Sequence, residues 1–342
     1  MDKIFPSNRP VLILAPMQDV TDLGFWRVMH HYGDPDLYYT EYFRVHRDSH
    51  PDKHILRSID ENPSGKPVIA QMIGQDIPHL IRTAEILQRH EVIGIDLNLG
   101  CPAPVVCRKN AGGGLLKHPD QINEILSALR PAISKLFTVK TRLGFDTPEE
   151  FPALLEMFAR HPLDALTVHG RTVREMYRSK VHHSFIAQAS QQLPFPVFAN
   201  GNVLSVRLAE ETLAATNADG LMIGRGAIRN PWIFRQIREK YDGHEPFIPT
   251  FRDIREYIEV LYRETSPSDL REEAKVSKVK KYMNFIAQGL DPENTFLNRI
   301  RTARSEKEFF LFCDQHLLHD TPFPPEPPTI ALVCSRSERL PN

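Results

Sequence analysis

The chain has 342 residues and a hydrophobic fraction of 41%, enough for one large globular core and a smaller second one. Lys and Arg total 42 against 43 Asp and Glu, which excludes a strong overall field for a polyanion, so any nucleic-acid surface must be a local patch. No signal peptide, bilayer-length apolar run, disulfide scaffold or paired zinc-ligand spacing is present, the cysteines being Cys101, Cys107, Cys313 and Cys334. A cytoplasmic protein without metal, membrane association or implied protein partner is expected.

In chain order, short runs rich in Val, Ile and Leu recur at residues 11–15, 37–40, 68–72, 93–97, 137–141, 165–168, 197–199 and 220–223. Segments with helical spacing lie between them, such as 77–90 and 121–132, the latter opened by Pro119 and Asp120. Asp19 and Asp22 read as caps of the first helix. This alternation predicts a (β/α)8 TIM barrel over residues 1–243. Beyond Gly243 the strand pattern stops, and residues 251–265, 270–289 and 305–318 read as helices. A smaller all-helical domain over residues 244–320, joined through Pro246 and Pro249, is therefore expected. The tail 321–342 carries Pro322, Pro324, Pro325, Pro327 and Pro328, which predicts a loose or surface-draped end.

In a parallel barrel all strands open on one face at their C-terminal ends, so residues just past them converge. Those positions hold Pro16, Met17 and Gln18, then Glu41, Gln71, Asn98 with Cys101, Lys140 with Arg142, and His169 with Arg171. Asn200, Gly201, Asn202, Gly224, Arg225 and Gly226 complete the set. The last two clusters follow the seventh and eighth strands, where glycines let backbone N–H groups approach a phosphate, and Arg225 can pair with it. Lys140 offers a deeper cation for a reduced isoalloxazine or an enolate. Cys107 and Cys313 are read without a chemical role, and adjacent His182 and His183 have no evident carboxylate partner for a metal.

Five motifs in order carry a resemblance: 15–22 (APMQDVTD), 98–102 (NLGCP), 139–144 (VKTRLG), 168–172 (VHGRT) and 223–227 (IGRGA). Together they resemble the tRNA-dihydrouridine synthases over about residues 11–234. Residues 40–42 (TEY) and the stretch from Arg171 and Thr172 to Tyr177 and Arg178 look nearest the bacterial C-type subfamily. The resemblance implies an FMN-dependent barrel with NADPH as reductant and tRNA as substrate. Pro16, Met17 and Gln18 would contact the flavin ring, Gln71 and Lys140 its pyrimidine edge, and His169 the ring region. Asn200, Gly201, Asn202, Gly224 and Arg225 would hold the ribityl phosphate. Asn98 and Arg142 would hold the uracil. Asp19 departs from the family, in which many members have glycine there.

The implied chemistry explains the residue types. Hydride from flavin N5 would reach C6 of a flipped-out uridine of the D-loop, and Cys101 would deliver a proton to C5 as a thiol. Lys140 and His169 would act beside it. Arg271, Lys275, Lys278, Lys280 and Lys281 form the best candidate for a phosphate-tracking stripe, with Lys275, Lys278 and Lys281 on one helical face and Arg299, Arg301 and Arg304 extending it. The competing readings are an FMN-dependent barrel oxidoreductase acting on a free pyrimidine, and a noncatalytic tRNA-binding protein.

Overall fold

A computed structural model describes residues 8–267, 269–291 and 293–327. Eight strands form the barrel: β1 (Val11–Leu14), β2 (Leu37–Tyr39), β3 (Val68–Ile73), β4 (Gly94–Leu99), β5 (Leu136–Arg142), β6 (Ala165–His169), β7 (Val197–Asn200) and β8 (Gly220–Ile223). Each pairs in parallel with its neighbour, and β8 returns to β1 through Val11 opposite Gly220, which closes the sheet. A two-residue continuation of β2, Phe43–Arg44, pairs with the end of β3. The expected barrel is therefore present, because each apolar run is short enough for a strand and is followed by a helix that covers its outer face.

Alternation along the strands builds two cores. Val11, Ile13, Leu37, Tyr39, Ile69, Ala165, Phe198 and Met222 fill the barrel interior. The intervening residues, among them Leu12, Leu14, Ile95, Leu97, Val139 and Val168, pack outward against the helices. Moving two residues at a time along the inward parity leads from this apolar floor to polar side chains: Ile69 to Gln71, Ala165 to His169, Phe198 to Asn200. The site is thus the upper layer of the barrel's own interior.

Past the barrel lie helices Phe251–Thr265, Glu272–Ile286, Thr295–Thr302 and Glu306–Leu317. The first matches its expected span, and the second is shorter at both ends than 270–289. The helix Thr295–Thr302 was not anticipated as a separate element: Asn294 before it is left-handed and gives no side-chain cap, and Asp291 accepts from Thr295 N and Phe296 N instead. These helices share one apolar cluster with the outer barrel core. Gly24 lies so close to the carbonyl of Glu264 that a Cβ would sit 2.5 Å from it, which lets helix Leu23–Tyr32 press on Phe251–Thr265. Tyr257 donates to Ile228 O and Tyr282 to Val20 O, each at 2.7 Å. The buried Arg229 guanidinium donates to Ile286 O at 3.2 Å and Gln288 O at 2.7 Å.

The described part of the tail, residues 321–327, lies draped over the surface, one of the two expected arrangements, and is anchored by side chains. Phe323 is 2% exposed, stacks edge-on with Phe251 and lies under the Arg229 guanidinium at 4.8 Å. Its N–H donates to Pro249 O, and Glu326 accepts from Ser205 and Arg207. Proline denies this segment regular structure without denying it side-chain anchors, so residues 321–327 are held in place. Residues 328–342, with Pro328 and Cys334, lie outside the described residues. Phe323→Ala is expected to cost about 3 kcal/mol in urea unfolding, as for a buried aromatic; a loss below about 0.5 kcal/mol would return the segment to a loose end.

Candidate active site

The loop after β4 carries Cys101, and the sequence folds it tightly. Asn98 Oδ1 accepts from Gly100 N at 3.0 Å and Cys101 N at 2.9 Å. Short helix Pro104–Cys107 follows, and Cys107 Sγ donates to Cys101 O at 3.5 Å. The chain then returns through Gly112, Gly113 and Gly114. Gly113 N donates to Cys101 O at 3.0 Å, and a Cβ on Gly113 would lie 2.9 Å from that same oxygen. Gly112, at φ +54°, leaves room for the Cβ of Cys101. Burial pushes the Cys101 thiol above its ordinary value, opposed by a backbone N–H and the positive charge of Arg142. It stays S–H at neutral pH.

Four cations surround the space beside it: Lys140, Arg142, Arg171 and Arg225. Burial first, then Arg142, pushes Lys140 down to about 8. His169, 5% exposed, is driven well below its usual value by burial and by all four neighbours, so its imidazole is neutral. Its Nδ1 and Nη1 of Arg171 are buried without a protein partner. An interior that gathers positive charge and leaves buried polar atoms unpaired is built for an anionic, hydrogen-bonding ligand.

Arg142 does more than line the space. Nε donates to Gly100 O at 2.8 Å, and Nη1 to Thr172 O at 2.8 Å and Met176 O at 2.7 Å. It therefore ties the Cys101 loop to the loop after β6, with Tyr177 beneath both it and Arg225 at 5.2 and 4.7 Å. Gln71 is wholly buried and engaged at both amide ends, by Asp96 at 2.7 Å and Asn98 at 2.8 Å, so its side chain meets protein on each side.

At the opposite rim, Pro16, Met17 and Gln18 leave β1, and Gln18 Oε1 is buried without a partner. Asp19 has φ 60°, a left-handed conformation in which glycine is at ease and Asp is tolerated. Its expected capping role belongs to Asp22 alone, which accepts from Phe25 N at 3.1 Å. Asn200 donates to Met222 O, tying β7 to β8. Gly201 lies at φ +136°, Asn202 is left-handed and accepts from Arg225 at 3.1 Å, and a Cβ on Gly224 would come within 3.0 Å of Met17 Sδ. The space a Cβ would need at Gly201 and Gly224 is taken by Val181 and Met17, which lets these loops pack closely beside Arg225.

Residues 13–321 match the family model described as dihydrouridine synthase. The chain belongs to the dihydrouridine synthase family. It is 30% identical to tRNA-dihydrouridine synthase B of Pasteurella multocida over 87% of this chain and 90% of that one. A tRNA-dihydrouridine(16) synthase of Neisseria meningitidis matches at the same identity over 89% and 93%, and a probable tRNA-dihydrouridine synthase of Helicobacter pylori at 38% over 68% and 71%. Among solved structures, histamine dehydrogenase from a Rhizobium species shares the fold with a TM-score of 0.52 at 15% identity, over 73% of this chain and 48% of that one. This dihydrouridine synthase chain thus spans about half of that dehydrogenase.

The synthase fold also opens a cleft of about 1170 Å³ between the β1 and β2 rim and the helices beyond residue 250. Lys275, Lys278 and Lys281 all line it, as their common helical face predicts, together with Gln18 and Glu41. Lys278 is bound to Asp22 at 2.8 Å, and Lys280 turns away to Arg301 O and Ala303 O. Glu259, Glu264 and Glu306 make the lining mixed in sign.

Asp96, Thr138 and Tyr177 escaped the sequence reading. Asp96 shares the parity of Asn98 on β4, two residues before the 98–102 motif. Glu175 was missed too, and it pairs with His182 at 2.8 Å; among the described residues no cluster suited to a metal ion is present.

Glu41 is pushed up to about 7 by burial and by the Asp22 carboxylate, although Val20 N donates to it. A raised carboxyl keeps its proton longer in the folded state, so its contribution to stability is lost as pH rises from about 4.5 through 7. Glu41→Gln should remove that fall, the two stability curves diverging by about 1 to 3 kcal/mol across the interval in urea unfolding. Parallel curves would place the Glu41 carboxyl in water.

Proposed function

We propose that the protein is a tRNA-dihydrouridine synthase that uses FMN and NADPH to saturate the C5–C6 bond of a D-loop uridine. The observation that carries this reading is Cys101 on a loop tied down by Asn98 and Arg142, its thiol favoured by burial, beside a buried His169 on which Lys140, Arg142, Arg171 and Arg225 all act and where buried polar atoms are left unpaired. Family membership and the names of the relatives support the same substrate.

The residues fit a flavin mononucleotide. The glycine-bearing loops at Gly201, Asn202 and Gly224, with the Arg225 guanidinium beside Asn202, would hold its phosphate, and Pro16, Met17, Gln18, Lys140 and His169 would face its ring, where Gln18 Oε1 and His169 Nδ1 are buried without a partner. Gln71 would serve through its neighbours, since its amide is already engaged. When bound, FMN supplies hydride to C6 of uracil, and NADPH restores it.

The protein's own part is positional and acidic. A stacked base cannot present both faces, so the uridine must be flipped into the interior. Asn98, with one N–H left over, and the Arg142 guanidinium, which Tyr177 also engages, would hold the uracil oxygens. Charge that develops on those oxygens is stabilised by Lys140 and Arg142, and Cys101 S–H gives its proton to C5. A neutral His169 orients or donates without adding a fifth charge. The helical region from residue 244, through Lys275, Lys278 and Lys281, would dock the tRNA backbone.

Purified protein should be yellow, NADPH should bleach it, and uridine-containing tRNA transcript should restore the colour while free uracil does not. Recovery with free uracil would favour a small-molecule oxidoreductase, and colourless protein would favour a binding module. Cys101→Ala should keep FMN binding and NADPH oxidation while the tRNA step falls roughly 10² to 10⁴-fold; normal dihydrouridine formation would remove Cys101 as the acid. Affinity for tRNA should drop steeply between 50 and about 200 mM salt, and a flat response would remove the three lysines from the docking surface.

A further inference from the structure

A polar chain runs under the Cys101 loop and starts at a carboxylate that the chemistry above does not use. Asp96 is wholly buried on β4, where Oδ1 accepts from Thr138 Oγ1 at 2.7 Å and Oδ2 accepts from Gln71 Nε2 at 2.7 Å. Gln71 Oε1 in turn accepts from Asn98 Nδ2 at 2.8 Å. Asn98 Oδ1 is thereby turned to the N–H groups of Gly100 and Cys101. An ionised carboxylate has only acceptors to offer, so it forces the nitrogen of Gln71 toward itself. The Gln71 oxygen must then face Asn98, and the Asn98 oxygen must face the loop.

We propose that Asp96 is a positioning residue that fixes the sense of the Gln71–Asn98 amide chain, and so orients both the Cys101 loop and the one Asn98 N–H left for substrate. This rests on the dihydrouridine synthase reading only for the last step, the use of that N–H by the uracil. With Asp96 absent as an anchor, either amide can rotate by half a turn, which would set an NH2 group against the two loop N–H donors.

The test reverses the chain. Asn98→Asp places acceptors at both ends of the Gln71 amide, which can satisfy one of them. Measured at pH 8 on ligand-free protein, it should lower the melting temperature by several degrees and raise the rate of Cys101 alkylation at least about tenfold, as the loop loosens. Adding Asp96→Asn should rescue both, because Gln71 can now turn over: the introduced amide donates to its oxygen and its nitrogen donates to the introduced carboxylate. The double variant still lacks the N–H at position 98. Its tRNA-dependent reoxidation should therefore stay at least about tenfold below wild type.

An Asn98→Asp protein as stable and as slow to alkylate as wild type, or a double variant no better than Asn98→Asp, would overturn the role of Asp96 in setting the chain. Full recovery of the tRNA step in the double variant would overturn the part of the proposal that gives the N–H to substrate. Melting and alkylation need neither flavin nor RNA. A wild-type protein that never turns over tRNA would sink the functional reading and leave these two measurements to decide the role of Asp96.

Discussion

Strand side chains alternate, and in a closed barrel of eight strands one of every two is forced into an interior only wide enough to hold them. That constraint governs the site. Below, the inward residues are apolar and fill the space; above, Asp96, Thr138, Lys140, Asn98 and His169 face the same axis and must satisfy one another or a ligand. Burial moves each ionisable member toward its neutral form: Asp96 is pushed up to about 6, Lys140 down to about 8, and His169 further down. A barrel of this sequence therefore arrives with a protonated thiol, an uncharged imidazole and an ammonium that is easily persuaded to seek an anion.

Arg142 shows how the same geometry links binding to architecture. Its guanidinium joins three backbone carbonyls from two loops, and hydrogen bonds from a charged donor are the stronger kind. The loop bearing Cys101 is thus braced from above by Arg142, from behind by the three glycines and from below by Asn98. In the proposed reaction a thiol that waits as S–H for a base would benefit from such bracing more than from activation.

Much of this was legible in the sequence, for identifiable reasons. Each barrel strand is a short run of β-branched and apolar residues, so its existence was plain, and the polar residues at the strand ends stood out because a core has no use for them there. Asp96 was harder: it lies inside an apolar run, and only the two-residue parity shared with Gly94 and Asn98 marks it as inward. The position of Gln71 was read correctly as facing the interior, but its engagement at both ends depends on β3 and β4 pairing in one register, Gln71 opposite Asp96, which no local pattern states. Helix Thr295–Thr302 carries its capping carboxylate four residues away, at Asp291, and so lacked the usual signal. The anchors of the proline-rich tail were not legible because composition reports what regular structure is forbidden, whereas Phe323 and Glu326 are held by partners about 75 to 120 residues distant in sequence.

Arg229 belongs to the short helix that follows β8, yet its guanidinium ends among the backbone carbonyls of the Glu272–Ile286 turn and above the ring of Phe323. A single buried charge is shared by three parts of the chain, none of which can depart without stranding it. Outside the cleft, the barrel's last helix and the helices beyond it are thus coupled through one guanidinium.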